Sequence, residues 1–129
     1  MDQKALEQIA TAYTAAWNSG DPTRVASFYA ETGKIIINRG TPHIRRDAVL
    51  AMAQGFFDAV PDLNLTCDSC RMAGDHAIFV WTFTGHDSTT NNPLSIPGWE
   101  EWDIDADGKV TASLGWFDAE DYAAQVEGR

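Results

Sequence analysis

The chain has 129 residues, 44% hydrophobic and 22% charged, which is typical of a globular protein with a single domain over residues 1–129. Nineteen acidic residues against nine Lys and Arg give a formal net charge of −10, which argues against a nucleic acid or an anionic membrane as partner. No apolar run approaches the roughly 18 residues of a membrane span, and the first residues lack a signal pattern, so we expect a cytoplasmic protein.

The first half of the sequence predicts three helices and one strand. Apolar residues spaced three and four apart predict an amphipathic helix over residues 3–18. An Asp-Pro pair is favoured where helices begin, and it predicts a second helix over residues 22–30. The β-branched run over residues 34–38 predicts a strand, and apolar spacing predicts a third helix over residues 46–59.

The second half predicts four strands and a short final helix. The predicted ranges are 63–72, 76–84, 99–104 and 110–117 for the strands and 119–126 for the helix. A loop is expected around residues 86–97, and Asp107-Gly108 predicts a two-residue hairpin turn because both residue types tolerate positive φ. Helices followed by antiparallel strands predict an α+β fold with helices on one face of a curved sheet.

The strand over residues 76–84 is apolar on both of its faces. Ile78 and Val80 point to one side of the sheet, and Phe79, Trp81 and Phe83 point to the other. The helices cover one of these faces, and a second copy of the chain would cover the other. We therefore predict a homodimer through the sheet.

Two motifs imitate metal or redox sites. Cys67 and Cys70 have the spacing of a redox pair, but they lie in a predicted strand, where residues three apart point to opposite faces, so we expect free thiols. Asp103–Gly108 resembles the start of a calcium loop, yet Leu114 stands where a bidentate Glu is required. We expect no metal and no other cofactor.

Strand alternation singles out Glu100. Trp102 and Ile104 share the apolar face of their strand, and Glu100 falls on that same face. A carboxyl group on an apolar face is either paired or kept protonated by a raised pKa, and a protonated carboxyl can donate a hydrogen bond to a substrate oxygen. The alternative is a solvated or salt-bridged Glu100 near the end of the sheet.

Tyr13 and His86 are further candidates. Tyr13 lies on the apolar stripe of the first helix, so its phenol points inward, either toward a substrate or toward a backbone partner. His86 follows the strand that begins at His76 and falls on the Ile78/Val80 face, where it would be either a general base at a cavity mouth or a surface histidine.

Five tryptophans are many for this length. We predict that Trp17 and Trp102 line a cavity for a flat or polycyclic apolar ligand, and that the other three serve core and dimer packing. The full predicted set of ligand-binding residues is Trp17, Ile37, Phe56, Trp102, Ser113 and Phe117.

Both ends of the chain resemble one family. Tyr13–Asp21 followed by a short helix, Trp99–Ile104, and Gly115–Asp118 are similar to segments of the nuclear-transport-factor-2-like superfamily, and most of all to SnoaL-like polyketide cyclases and ketosteroid isomerases. The resemblance implies a cone-shaped α+β barrel, in which a mostly antiparallel sheet wraps around three N-terminal helices and a central pocket, and it implies a dimer. The fold hosts isomerases, cyclases, dehydratases, epoxide hydrolases and non-catalytic binders.

Individual positions carry over from this resemblance. The oxyanion-binding tyrosine of the isomerases falls on Tyr13, and their protonated acid falls on Glu100, a Glu in place of Asp. Their general base falls on Ile37, which cannot accept a proton, and neither can its neighbour Asn38. The acid/base of the cyclases lies near Asp118, the one carboxylate at that end of the last strand.

Three hypotheses follow. In the first, Tyr13 and Glu100 polarise the oxygen of an apolar carbonyl compound while His86 or Asp118 moves the proton, without metal or organic cofactor. In the second, the protein binds a ligand without catalysis, as the loss of the base at Ile37 favours. In the third, it is a protein–protein adaptor that uses the sheet face.

Overall fold

A computed structural model describes all residues 1–129, which form four helices and six strands. Their bounds are α1 Gln3–Asn18, α2 Pro22–Ala26, β1 Tyr29–Ile37, β2 His43–Ile44, α3 Arg45–Ala59, β3 Asn64–Ala73, β4 His76–His86, β5 Pro93–Ile104, β6 Val110–Phe117 and α4 Ala119–Glu127. None of the helices has the length and apolar character needed to cross a bilayer.

All six strands belong to one curved sheet with the order β2-β1-β6-β5-β4-β3. The β1–β6 pair is parallel and every other pair is antiparallel. Helix α1 packs on β3 and α3 packs on β1, so the helices fill the concave side of the sheet around a core of 25 buried residues. The predicted α+β cone is confirmed, although its sheet stays open between β2 and β3.

Two side-chain amides fix α1 against the edge strand β3. Gln3 donates to the Cys70 carbonyl at 2.9 Å and accepts from the Met72 amide at 3.0 Å. At the other end of the helix, Asn18 donates to the Leu65 carbonyl at 2.9 Å and accepts from the Leu65 amide at 2.5 Å. These contacts satisfy part of the open strand edge, and they fix which face of α1 points into the cone.

The second helix is shorter than predicted. It ends at Ala26, and Tyr29 already belongs to β1, where it pairs with Val110. The Phe28 carbonyl accepts from the Val110 amide at 2.9 Å, so pairing with β6 overrides the local helical pattern. Gly33 permits this pairing, because a Cβ there would lie 2.6 Å from the Val110 carbonyl oxygen.

The predicted loop over residues 86–97 is wrong in its second half, because β5 begins at Pro93. Leu94 and Ile96 are buried on the inner face of this strand. Strand β5 pairs with β6 only from Gly98 onward, so Pro97 lies where one side of the strand has no neighbour and a missing N–H costs little. The two-residue strand β2 was also missed.

The hairpin between β5 and β6 exists, but its turn is longer than the predicted two residues. It spans Asp105–Lys109, and Gly108 has a φ of 77°, whereas Asp107 stays at negative φ. The carboxylate of Asp105 accepts from the backbone amides of Asp107 and Lys109, both at 2.9 Å. A side chain thus organises a wider turn than the Asp-Gly signal indicates.

A β-bulge reverses the predicted orientation of the two cysteines. The register shifts between Cys67 and Ser69, so Cys67 pairs with Trp81 and Cys70 pairs with Phe79, both inward-facing residues of β4. The expectation of opposite faces was therefore wrong. Both thiols are free, and burial together with the neighbouring Cys70 raises the pKa of the Cys67 thiol to about 11, which leaves it unreactive at neutral pH.

Candidate active site

The helices and the concave face of the sheet enclose an apolar cavity. Eleven of its thirteen lining residues are hydrophobic, and its volume is about 490 Å³ with the open mouth included. Because this figure also counts the space at the open mouth, the enclosed part of the cavity is much smaller and admits only a compact ligand. The lining residues are Trp17, Ile35, Ile37, Met52, Phe56, Leu63, Leu65, Trp81, Phe83, Glu100, Gly115, Trp116 and Phe117.

Glu100 is the one ionisable side chain that lines this cavity. Along β5, burial alternates strictly from Leu94 to Ile104, and Glu100 lies on the buried side with 6% of its surface exposed. The alternation in the sequence predicted this orientation. A single carboxyl group therefore faces an otherwise apolar chamber.

Four side chains converge on one oxygen of Glu100. Ser113 donates to Oε1 at 2.9 Å, and the indole N–H of Trp102 donates to it at 3.0 Å. The hydroxyls of Tyr13 and Tyr29 lie 3.1 and 3.3 Å from the same oxygen and 3.1 Å from each other. These four residues and Glu100 are called the Glu100 network below.

The second oxygen of Glu100 is nearly unoccupied. Oε2 has one contact within the protein, a long one of 3.4 Å from the Tyr13 hydroxyl. Gly115 lies beside the Glu100 side chain, because a Cβ at this position would be 3.8 Å from Glu100 Cγ and 3.7 Å from Ile37 Cγ1. Oε2 is therefore the atom of the Glu100 network that retains hydrogen-bonding capacity for a molecule in the cavity.

Burial raises the pKa of Glu100 above its ordinary value, and the four hydrogen bonds oppose this rise without cancelling it. Removal from water disfavours the carboxylate, whereas donors on Oε1 stabilise it. The result is a carboxyl group with a raised pKa. General acid–base catalysis makes use of carboxyl groups whose pKa is shifted in this direction.

The two phenols of the Glu100 network stay protonated. Burial, followed by the charge of Glu100, raises the pKa of Tyr13 and of Tyr29 well above the ordinary tyrosine value. Neither phenol can therefore act as a base near neutral pH, and both serve as hydrogen-bond donors. Tyr13 is fully buried among Phe28, Phe79 and Trp102, whose rings meet it edge-on at 5.1–5.6 Å.

The predicted site residues divide into two groups around the cavity. Trp17, Ile37, Phe56 and Phe117 line it, as does Glu100. Tyr13, Trp102 and Ser113 lie behind Glu100, where each donates to its carboxyl group and none lines the cavity. Tyr13, Trp102 and Ser113 were expected to contact a ligand directly, but they contact Glu100 instead.

His86 and Asp118 lie outside the cavity. His86 is about half exposed, and its Nδ1 is 2.6 Å from the Asp62 carboxylate. Asp118 caps α4, where its side chain accepts from the Asp121 amide at 3.0 Å. No cluster of three or more His, Cys, Asp and Glu side chains has the geometry of a metal site.

Sequence reasoning missed several residues of this site, among them Tyr29 and Trp81. Tyr29 was assigned to a helix, and only the long-range pairing of β1 with β6 brings it to Glu100. Trp81 was assigned to core or dimer packing, yet it lines the cavity opposite Gly98 of β5. The inward parity of Trp81, shared with Phe79 and Phe83, was the available signal.

The comparisons with known proteins agree with this architecture. A family model described as a SnoaL-like domain matches residues 10–113. A search among curated proteins found no match. A protein from Catenulispora acidiphila with a ketosteroid isomerase-like fold, solved in complex with trimethylamine, superposes with a TM-score of 0.85 at 19% identity, covering 92% of each chain.

Two further solved structures have the same fold. A protein from Jannaschia sp. CCS1 assigned as a SnoaL-like polyketide cyclase gives a TM-score of 0.86 at 13% identity and covers 99% of this chain and 94% of its own. TerC, crystallised with polyporic acid, gives 0.81 at 14% identity and covers 95% and 98%. These similarities confirm the nuclear-transport-factor-2-like fold expected from the sequence, and the chain belongs to the SnoaL-like domain family.

Proposed function

We propose that the protein binds a compact apolar carbonyl compound and enolises it, with Glu100 as the proton-transferring group. The observation that supports this proposal most directly is the unequal bonding of the two carboxyl oxygens of Glu100. Oε1 contacts four side chains, whereas Oε2 has one long contact, with the Tyr13 hydroxyl. Trimethylamine and polyporic acid are bound by two proteins of the same fold, which supports a small-molecule ligand.

In the proposed step, the ionised Oε2 of Glu100 removes a proton from the carbon beside the carbonyl. The C–H electron pair forms the new C=C bond, the C=O π pair moves to oxygen, and return of the proton to carbon completes an exchange or an isomerisation. An apolar chamber strengthens the base, because the carboxylate is poorly solvated there. Such proton transfer contributes about 10²–10⁴ in rate.

Tyr13 has a different role from the one expected from the sequence. It does not line the cavity, so it acts on the substrate through Glu100 and not as a second donor to the substrate oxygen. Tyr13, Tyr29, Trp102 and Ser113 are positioning residues. They hold Oε1 in place and keep the pKa of Glu100 from rising further.

A direct test uses 1-tetralone, a compact bicyclic ketone, in D₂O. NMR follows the loss of the C2 protons as they exchange for deuterium. The wild-type protein should accelerate this exchange, with a rate that rises with pH as Glu100 ionises, and Glu100→Gln should lower the rate by about 10²-fold or more. Equal rates for both proteins would overturn the catalytic assignment of Glu100.

The second candidate is a binding protein without catalysis. Ile37 lines the cavity where the isomerases have their base, and the side chain of Asn38 is engaged in accepting from the Phe117 amide at 3.0 Å. The same experiment separates the two candidates. A pure binder retains 1-tetralone in the cavity, seen as ligand line broadening, while exchange proceeds at the rate in buffer.

We also propose that the convex face of the sheet forms a homodimer. Val80 and Trp99 are register neighbours of β4 and β5 on this face, and Trp99 is 40% and Leu114 43% exposed. A contiguous apolar strip of this kind is typical of an interface. Light scattering should give a dimer for the wild type and a monomer for Leu114→Asp.

A further inference from the structure

The cavity wall contains a buried polar group that the proposed function does not use. Trp81 is 8% exposed, and its indole Nε1–H has no hydrogen-bond partner within the protein. Leaving a buried donor unpaired is unfavourable, so native proteins contain few such groups. A phenylalanine would keep part of the ring packing and would leave no donor unpaired.

The indole of Trp81 is held rigidly. It stacks on Phe83 with ring centroids 6.0 Å apart and an interplanar angle of 20°, and it packs against Phe117 on another side. Its six-membered ring lies on Gly98, where a Cβ would come within 2.4 Å of Cη2. The donor is therefore fixed in orientation before any ligand arrives, which lowers the entropic cost of binding.

A second unpaired indole lies in the same cavity but has a different neighbour. The Nε1–H of Trp17 makes no hydrogen bond. Burial raises the pKa of Tyr13, and the Trp17 indole opposes that rise, so the Trp17 N–H lies beside the Tyr13 hydroxyl. The Trp81 donor has no such protein neighbour.

We propose that the Trp81 N–H binds the carbonyl oxygen of the ligand. This inference rests on the proposed function, since it requires a ligand in the cavity. Trp81 pairs with Gly98 in the β4–β5 register, and Glu100 is the next inward residue of β5. Diagonal neighbours of this kind are about 7–8 Å apart along the sheet, so Trp81 and Glu100 belong to one stretch of the cavity wall and a compact ligand lying on it can reach both.

In this proposal, Glu100 and the Trp81 N–H act on different atoms of the ligand. Glu100 takes the proton from carbon, and the Trp81 N–H stabilises the negative charge that develops on oxygen. The ligand class is accordingly a compact, mostly apolar ketone or quinone-like compound with one acceptor oxygen next to the reacting carbon. A hydrocarbon of the same shape leaves the donor unpaired and binds more weakly.

The test compares 1-tetralone with tetralin, which has the same rings without the oxygen. By calorimetry, the wild type should bind 1-tetralone about tenfold more tightly than tetralin. Trp81→Phe should abolish this preference, and Trp99→Phe, on the convex face, should keep it. A preference that survives in Trp81→Phe, or that is absent from the wild type, overturns the inference.

A second measurement uses only the wild-type protein. In ¹⁵N–¹H spectra, the indole resonance of Trp81 should move downfield with 1-tetralone and not with tetralin; equal movement with both contradicts the inference. The two proposals can fail independently of each other. If the wild type prefers 1-tetralone to tetralin but does not accelerate deuterium exchange, only the catalytic role of Glu100 is overturned. If it accelerates exchange without this preference, only the role of Trp81 is overturned. Failure of the wild type to bind 1-tetralone overturns both.

Discussion

The polar groups of the Glu100 network have hydrogen-bond partners within the protein, whereas those of the aromatic wall of the cavity do not. In the network, four donors compete for one carboxylate oxygen. In the wall, defined here as Trp17, Phe56, Trp81, Phe83 and Phe117, two indole donors have no acceptor. A group whose hydrogen bonds are satisfied within the protein is held in position, and its pKa is set by those bonds. An unpaired donor, in contrast, can bind a ligand. The contrast assigns proton transfer to one region and recognition to the other.

A Trp→Phe substitution made in each of the two regions tests this difference most strongly. Trp102→Phe removes a fully buried indole that is stacked on Phe79 and bonded to Glu100, so it should lower the free energy of unfolding by about 3 kcal/mol. Trp81→Phe loses no hydrogen bond and should cost about 1 kcal/mol. Urea unfolding at pH 7 measures both, and equal losses would contradict the contrast.

A smaller effect is expected from Tyr13→Phe, because it removes one donor from Glu100. The loss in the free energy of unfolding should be about 2 kcal/mol at a pH above the raised pKa of Glu100, where the carboxyl is charged, and about 1 kcal/mol at a pH below it, where the carboxyl is neutral. Tyr122→Phe is the control, since Tyr122 packs on Phe83 and Phe117 away from Glu100. A pH-independent loss for Tyr13→Phe would show that its hydroxyl does not stabilise the charged carboxyl.

Glu100→Gln should reveal the cost of the buried charge. The folded-state pKa of Glu100 is raised, so its stabilising contribution is complete below the pKa of the unfolded chain and is lost as pH rises through the folded pKa. The stability of the wild type relative to Glu100→Gln should therefore fall with rising pH, by about 1.4 kcal/mol for each unit of raised pKa. Unfolding curves between pH 4 and 8 measure it, and a difference that grows with pH in favour of the wild type is the contrary result.

The smallest effect on stability is expected from Gly115→Ala, which places a methyl group beside Glu100. The new Cβ makes ordinary contacts of 3.7–3.9 Å, so the fold should tolerate it to within about 1 kcal/mol. Because Gly115 lines the cavity, the methyl group takes space from a bound ligand, and the affinity for 1-tetralone should fall about tenfold. Gly55→Ala, whose Cβ meets nothing within 4 Å, is the matched control and should bind normally.

Local patterns were enough to predict most of the fold and the central residue of the site. The amphipathic stripe of α1 and the alternation of β5 are local properties, and they oriented Tyr13 and Glu100 correctly. Tyr29 and the inward pair of cysteines were missed because a parallel strand pairing and a bulge depend on distant segments. The roles of Trp102 and Ser113 were misjudged for a related reason: parity gives the face of a strand, but not whether a side chain ends in a cavity or against a buried carboxyl group.

The most direct test of the account is a titration of the Glu100 carboxyl carbon by ¹³C NMR, with Glu100→Gln used to assign the resonance. We expect a midpoint clearly above the ordinary glutamate value of about 4.3, and a further rise in Tyr13→Phe. A midpoint at or below this ordinary value would mean that the four donors outweigh burial. Glu100 would then be a permanently charged structural group and not a carrier of protons.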